Sequence, residues 1–139
     1  MKQPQVTLGY FDFAINGSFP GKKWIEWGAN VRSRLLKRPY GDQGLFIRRN
    51  DFFDMGGFPE VPILEDVLFV KEARRRGGTV GTGIPLPTSG RRWLKYGVIN
   101  TTIFNQMVLV AACLGADLNN LRDVYRKGKN PLSALLNRI

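Results

Sequence analysis

Hydrophobic and polar residues alternate along VTLGYFDFAI (6–15) with the two-residue period of a β-strand. The turn-forming sequence NGSFPGKK (16–23) follows it. Between residues 23 and 37 apolar residues recur every three or four positions, which predicts an amphipathic helix ending before Pro39. The spacing assigns its inner face to Trp24, Trp27 or Gly28, Val31 and Leu35.

Shorter elements are predicted in the middle of the chain. GLFIRR (44–49) is typical of a short strand, and Asn50 is placed to cap a short helix that ends at the Gly56–Gly57 pair. A longer helix is predicted from about Leu64 to the arginines before Gly77, which has the position of a helix C-cap. Its inner face is expected to carry Val67, Val70 and Ala73 or Arg74.

The rest of the chain changes from strand to helix. TVGTGI (79–84) predicts another short strand, and Pro85 and Pro87 are expected to lead into a loop. The pattern after Arg91 is helical, with breaks near Gly115–Ala116, where Asp117 can cap the next helix, and at GKNP (128–131). These elements predict an α/β fold in which a helical C-terminal extension (98–139) packs on the first part of the chain (1–97).

Composition narrows the possible chemistry. The chain has 139 residues, 43% of them hydrophobic, which is enough for one domain with its own core. It has no histidine and one cysteine, which excludes an ordinary zinc site, a Ser-His-Asp triad and a Cys-His pair. General-base chemistry would therefore depend on carboxylates. Cys113 lies in an apolar run, which predicts a buried thiol in a reducing compartment.

Charge and hydropathy bear on partners and location. The formal net charge of +10 favours an anionic partner, whether phosphate, nucleic acid or an anionic lipid surface. No signal peptide is visible, and the apolar run 107–116 is shorter than the roughly 20 residues that span a bilayer. A cytoplasmic protein, or one peripheral to the membrane, is expected.

Three short stretches carry candidate site residues, each with an ordinary structural explanation beside the functional one. Glu65 and Asp66 open the predicted helix, where acids are favoured by the helix dipole, yet either carboxylate could accept a proton in a cleft. Asp42 and Gln43 lie between two glycines in a predicted turn. TSGRRWLKYG (88–97) groups cations and an indole that could bind a diphosphate, or could form a solvated helix start.

Basic residues are spread along the chain instead of being gathered in one motif. They cluster at 32–38, where Arg32, Arg34 and Lys37 are expected on the solvated helix surface, and at 71–76 and 126–129. No helix-turn-helix, zinc-finger or aromatic-basic RNA motif accompanies them. Nucleic-acid binding therefore rests on charge alone.

Taken in order, the motifs resemble a known family. GDQGLFIRRNDFFDMGGFPEVPILEDVLFVKEARRRGG is similar to the second half of a family-2 glycosyltransferase catalytic domain, with its Gly-Gly-Phe turn and its acidic pair at a helix start. SGRRWLKYG resembles the downstream Arg-Trp element. WGANVRSRLLKRPYGDQGLFIRR and RRWLKYGVINTT look like the bacterial subgroup of selenodomain-associated transferases. The resemblance extends over residues 6–126.

The resemblance implies a GT-A fold and inverting transfer of a sugar from a nucleotide diphosphate donor. It makes Asp66 the general base on the acceptor hydroxyl and Glu65 its supporting neighbour. It places Arg91, Arg92 and Trp93 near the donor diphosphate, and Asp42 and Gln43 in a loop that lines the cleft. The family also implies a divalent metal, Mg or Mn, at the leaving group.

The chain departs from the family pattern in its first half. It has no Asp-x-Asp pair and begins with the strand that follows that motif in the family, so the nucleotide- and metal-binding half is expected to be absent. We therefore expect the isolated chain to be inactive and to bind no metal tightly. A homo-oligomer, or a second chain supplying the missing half, would then complete the domain. Two other functions remain open: a basic module for nucleic acid or anionic membranes, and a self-associating structural fragment.

Overall fold

The computed structural model of the protein describes residues 6–127, which form a mixed α/β structure. Its elements are, in chain order, β1 (Val6–Ile15), α1 (Lys22–Leu35), a 3-10 helix (Gly41–Gln43), α2 (Arg49–Asp54), α3 (Glu65–Arg76), β2 (Gly77–Thr88), α4 (Arg91–Tyr96), α5 (Val98–Cys113) and α6 (Leu118–Lys127). They form two compact units, residues 6–60 with 64–90, and residues 61–63 with 91–127. The functional division predicted at residue 97 stays a prediction.

The first unit is built on two parallel strands, β1 and β2, paired from Val6↔Gly77 to Ile15↔Thr88 with an irregularity between Tyr10 and Asp12. Parallel strands need a crossover connection, and α3 lies within it. Phe69, Val70 and Ala73 of α3 are buried with Leu8 of β1. Burial of Val70 and Ala73 is therefore confirmed, although the full inner face is shifted toward Phe69.

Strand β1 agrees with its prediction, whereas β2 is longer than predicted. The prediction of a loop at Pro85 and Pro87 is wrong, because the strand continues to Thr88. The Asn16 N–H donates to the Thr88 carbonyl at 2.7 Å, so residue 88 faces β1. Strand residues alternate in direction, so both prolines turn their nitrogen toward the edge that β1 does not occupy. A missing N–H there removes no ladder hydrogen bond.

The prediction of a short strand at 44–49 is also wrong. Only Phe46 pairs with β1, through two hydrogen bonds to Gly9 of 2.8 and 2.9 Å in an isolated antiparallel bridge. Side chains bind the remainder of this β1 edge: Asn30 bonds both polar backbone groups of Phe13, and Glu26 accepts from the Ile15 N–H. These side chains occupy the positions that a neighbouring strand would need.

Helix α1 forms where predicted, but its predicted inner face is wrong. Trp24, Trp27 and Leu35 are exposed to solvent, whereas Ser33 is fully buried. The side turned toward β1 carries Glu26 and Asn30, whose polar groups satisfy the β1 backbone. The helix is therefore oriented by hydrogen bonding to a strand edge and not by its apolar stripe.

Two smaller predictions need correction in the same way. The N-cap of α2 is Arg48 and not Asn50, which lies inside the helix; the helix does end before Gly56 and Gly57, both with positive φ. Cys113 is exposed and not buried. The apolar run around it turns other residues inward, so composition alone misjudged its position.

The second unit contains α4, α5 and α6. Ala111, Ala116 and Leu121 are its buried centre, against which Ile63, Ala112, Leu118 and Val124 pack. Asp117 accepts a hydrogen bond from the Asn120 N–H at 3.0 Å, which confirms its predicted role as the cap of α6. The break predicted at 128–131 lies outside the described residues. Within residues 6–127, no helix combines the length and apolar character needed to cross a bilayer.

Candidate functional site

The predicted loop around Asp42 and the predicted start of α3 meet in the first unit. The Gly41 N–H donates to Oδ2 of Asp66 at 2.7 Å, across 25 positions of sequence. The Val67 N–H donates to Oδ1 of the same carboxylate at 2.8 Å. Two backbone donors thus fix the Asp66 side chain, which is half-buried at the first turn of the helix.

Glu65 and Asp66 have different surroundings. Glu65 is exposed, and its side chain makes no hydrogen bond or ion pair with other described residues. The groups that orient Asp66 are backbone amides of Gly41 and Val67. A supporting role for Glu65 in catalysis stays a prediction.

Gln43 is fully buried, and both polar atoms of its side chain are hydrogen-bonded to the protein. Its Oε1 accepts from the Arg32 guanidinium at 3.0 Å and from the Tyr40 N–H at 3.1 Å. The Ser33 hydroxyl lies 2.9 Å from the same oxygen and 2.8 Å from the Ala29 carbonyl, and its one proton is shared between these two acceptors. Its Nε2 donates to the Phe11 carbonyl at 3.3 Å. Gln43 thus fastens the loop to α1 and β1, which makes it a positioning residue for its neighbour Asp42; contact with a substrate stays a prediction.

Arg32 is the cation of this cluster. Its guanidinium lies 3.8 Å from the centre of the Tyr40 ring, and its Nε donates to the Arg38 carbonyl at 3.0 Å. Desolvation lowers the pKa of Arg32, against the opposing effects of Tyr40, Asp42 and Asp66. Desolvation also raises the pKa of Tyr40. The cation is therefore held in place by a ring and by two acceptors, with carboxylates near it.

Asp42 is the second carboxylate of the cluster. Asp42 is exposed as a whole residue. Protein atoms around its carboxyl group nevertheless reduce the hydration of that group, which raises the pKa of Asp42. The Arg32 charge opposes this shift, and the Asp66 charge adds to it. The two acids and one guanidinium thus form a single electrostatic group, here called the Asp66 cluster: Arg32, Tyr40, Gly41, Asp42, Gln43 and Asp66.

The Arg-Trp element belongs to the second unit. Arg92 lies over the Tyr125 ring at 3.9 Å and near the Phe104 ring at 5.1 Å, so aromatic faces surround its charge. It lines a cavity of about 240 Å³ together with Tyr96, Asn100, Thr101 and Phe104. Arg91 is exposed and Trp93 half-buried. Their predicted role near a diphosphate stays a prediction.

The residues present do not fit the divalent metal that the family resemblance implies. Between residues 6 and 127, no three carboxylate, thiol or imidazole side chains lie close enough together to hold a metal ion. The Asp66 cluster offers two carboxylates with an arginine beside them, which is unfavourable for a cation site. We therefore assign no metal-dependent step to this chain.

The structure adds two residues, Arg32 and Tyr40, to the Asp66 cluster that the sequence pattern did not place there. Arg32 was expected on a solvated helix surface, and Tyr40 was only part of a loop. One signal was present: Glu26, Asn30 and Ser33 recur at helical spacing and form a polar side of the helix without a large apolar residue. Gln43, the partner of both Arg32 and Ser33, is eleven and ten residues away from them and could not be inferred from that spacing.

Comparisons with protein-family models, with curated proteins and with solved structures found no match. The resemblance to family-2 glycosyltransferases stays a prediction.

Proposed function

We propose that the Asp66 cluster is the acceptor-activating site of a sugar-transfer reaction. The observation that carries this proposal is the hydrogen bond from Gly41 to Asp66, which joins the two stretches that resemble the glycosyltransferase motifs. The wider assignment, to the acceptor-side half of a GT-A glycosyltransferase domain, rests on that resemblance. The mixed α/β structure with its parallel strand pair is compatible with it.

The chemistry follows from the lone pairs of the carboxylate. Each Asp66 oxygen accepts one backbone N–H, which leaves each oxygen a further lone pair for an acceptor hydroxyl at about 3 Å. The hydroxyl oxygen attacks the anomeric carbon of the donor as its proton passes to Asp66. The bond from that carbon to the nucleotide diphosphate breaks, and the diphosphate leaves with the electron pair.

The surroundings of Asp66 suit a base that must stay in one position. Two backbone donors hold the carboxylate, and Gln43 holds the loop that supplies one of them. The positive charge of Arg32 interacts favourably with both Asp42 and Asp66. Fixed geometry of this kind is what proton abstraction from a bound hydroxyl requires.

The amide signals of Gly41 and Val67 report directly on Asp66, so protein-observed NMR can test the proposal. We would titrate the labelled chain with UDP-glucose, with and without manganese, and with a panel of simple saccharides as acceptors. The expected result is saturable movement of both amide signals with at least one of these sugars. Asp66→Asn should abolish the response, because the neutral amide cannot take up the hydroxyl proton or accept with both atoms.

Asp54→Asn is the matched control, since Asp54 is an exposed acid on α2 outside the cluster. It should retain the full response of the wild type. If no sugar moves the Gly41 and Val67 signals at millimolar concentration, Asp66 is not the base of a sugar-transfer site in this chain. An identical response in the Asp66→Asn variant would lead to the same conclusion.

A further inference from the structure

Helix α1 presents an apolar stripe to solvent. Trp24 is 76% exposed, Trp27 63% and Leu35 76%. The steps of three or four residues from 24 through 27 and 31 to 35 place them on one side of the helix with Val31, which is half-buried. The two indole rings lie 6.2 Å apart, edge to face. Scattered exposed apolar residues are ordinary, whereas two neighbouring exposed tryptophans with an exposed leucine on the same side of a helix mark an interaction surface.

The orientation of α1 is fixed by its opposite side. Asn30 exchanges two hydrogen bonds with Phe13, and Glu26 accepts from the Ile15 N–H. The Ser33 hydroxyl is within hydrogen-bonding distance of the buried Gln43. Rotating the helix to bury its stripe would break these bonds and leave β1 backbone groups unpaired. The apolar stripe is therefore a lasting feature of this surface.

Cations lie along the stripe and at its end. Lys23, Lys37 and Arg38 are exposed and have no acidic partner among the described residues. Arg34 is also exposed but is paired with Asp12. The only acid of α1 is Glu26, which is turned to β1. The outward surface of this helix is thus apolar and positively charged, with no acid of its own.

We infer that α1 with residues 36–38 is an in-plane binding surface for an anionic lipid membrane. Tryptophan is suited to the boundary between headgroups and acyl chains, and leucine to the region just below it. Flexible lysine and arginine side chains reach the phosphates while their stems cover apolar surface. A second copy of the chain would bring like charges together at the same face, which opposes that alternative.

This inference does not depend on the Asp66 cluster, and vesicle co-sedimentation tests it. The wild type should bind vesicles of phosphatidylcholine with a large fraction of phosphatidylglycerol, should bind pure phosphatidylcholine much more weakly, and should be released by salt. Trp24→Ser/Trp27→Ser should lower the partition coefficient by at least about tenfold. Replacing Lys23, Lys37 and Arg38 by glutamine should lower it about fivefold for each cation removed.

Matched variants separate this surface from general stickiness and charge. Leu94→Ser/Ile99→Ser removes two apolar side chains that are 60% and 71% exposed in the second unit, and it should bind like the wild type. Replacing Lys71, Arg126 and Lys127 by glutamine removes three exposed cations outside α1 and should have a much smaller effect than the α1 triple variant. Circular dichroism must show the same helix content in all variants.

Three results would overturn the inference. One is no binding of the wild type to anionic vesicles at millimolar lipid. Another is equal loss of binding in the tryptophan variant and in its Leu94/Ile99 control. The third is a dimer in sedimentation velocity that the tryptophan variant abolishes, with no vesicle binding, which would assign the stripe to a second copy of the chain.

Discussion

Replacing Gln43 by alanine should destabilise the first unit more than its small size suggests. The side chain is completely buried and accepts from Arg32, Ser33 and Tyr40 while donating to Phe11. Alanine can make none of these hydrogen bonds. Because the residue also holds the loop beside Asp66, the consequence extends to the candidate site.

The magnitude follows from the groups left without partners. The single hydroxyl proton of Ser33 can still be donated to the Ala29 carbonyl, and Arg32 keeps its bond to Arg38, so neither side chain is stranded. The Tyr40 N–H and the Phe11 carbonyl lose the bonds that Gln43 made, at about 1–3 kcal/mol for each buried group. Both are only partly buried, so we take the lower half of that range. We expect a loss of about 3 kcal/mol, a large share of the roughly 5–15 kcal/mol that stabilises a typical domain.

Urea unfolding followed by circular dichroism measures this loss, with hydrogen exchange at the Tyr40 amide as a local readout. Gln106→Ala is the control, because it makes the same change at an exposed position of α5, where alanine slightly favours the helix. If the two variants differ in stability by less than about 0.5 kcal/mol, Gln43 does not hold the loop as described. Unchanged exchange at Tyr40 would count against it too.

Three further outcomes can be checked. Asn30→Ala should cost about 2 kcal/mol in urea unfolding, because both polar groups that it binds on β1 lose their partners, while Asn30→Asp should cost less because it can still accept. Gly9→Ala should be strongly destabilising, because the new Cβ would lie 2.1 Å from the Phe46 ring, whereas Gly78→Ala meets nothing within 4 Å and should be tolerated. Hydrogen bonds from two arginines lower the pKa of Glu72 from 4.5 to about 2, so its contribution should be complete above pH 4.5 and lost as pH falls toward 2; an NMR midpoint near 4.5 would contradict this.

Local sequence signals were sufficient for several elements of the site. The start of α3 follows from Pro59, Pro62 and the acidic pair, and the structure begins the helix at Glu65. The turn at Asp42 follows from its flanking glycines, and a 3-10 helix forms there. These features are decided within a few residues by backbone conformation and capping, which is why a sequence pattern reveals them.

The wrong predictions share one cause. A local pattern does not show which side or edge of an element the rest of the chain covers. Periodicity correctly grouped Trp24, Trp27 and Leu35 on one face of α1 but assigned that face to the core. The short strand expected at 44–49 and the loop expected after residue 84 also depend on what occupies the edges of β1 and β2. A pattern shows which residues lie together, and only their long-range partners determine whether they are buried.

The sequence by itself determined the mixed α/β character, the position of most helices, the excess of positive charge and the placing of Asp66 in a first helical turn. Only the tertiary structure decided that the 3-10 loop contacts Asp66, that Gln43 is buried between the loop, α1 and β1, and that α1 turns its tryptophans outward. The physical reason is the separation of the partners. Gly41 and Asp66 are 25 residues apart, and Asn30 and Phe13 are 17 apart, so these hydrogen bonds exist only after the chain has folded back on itself.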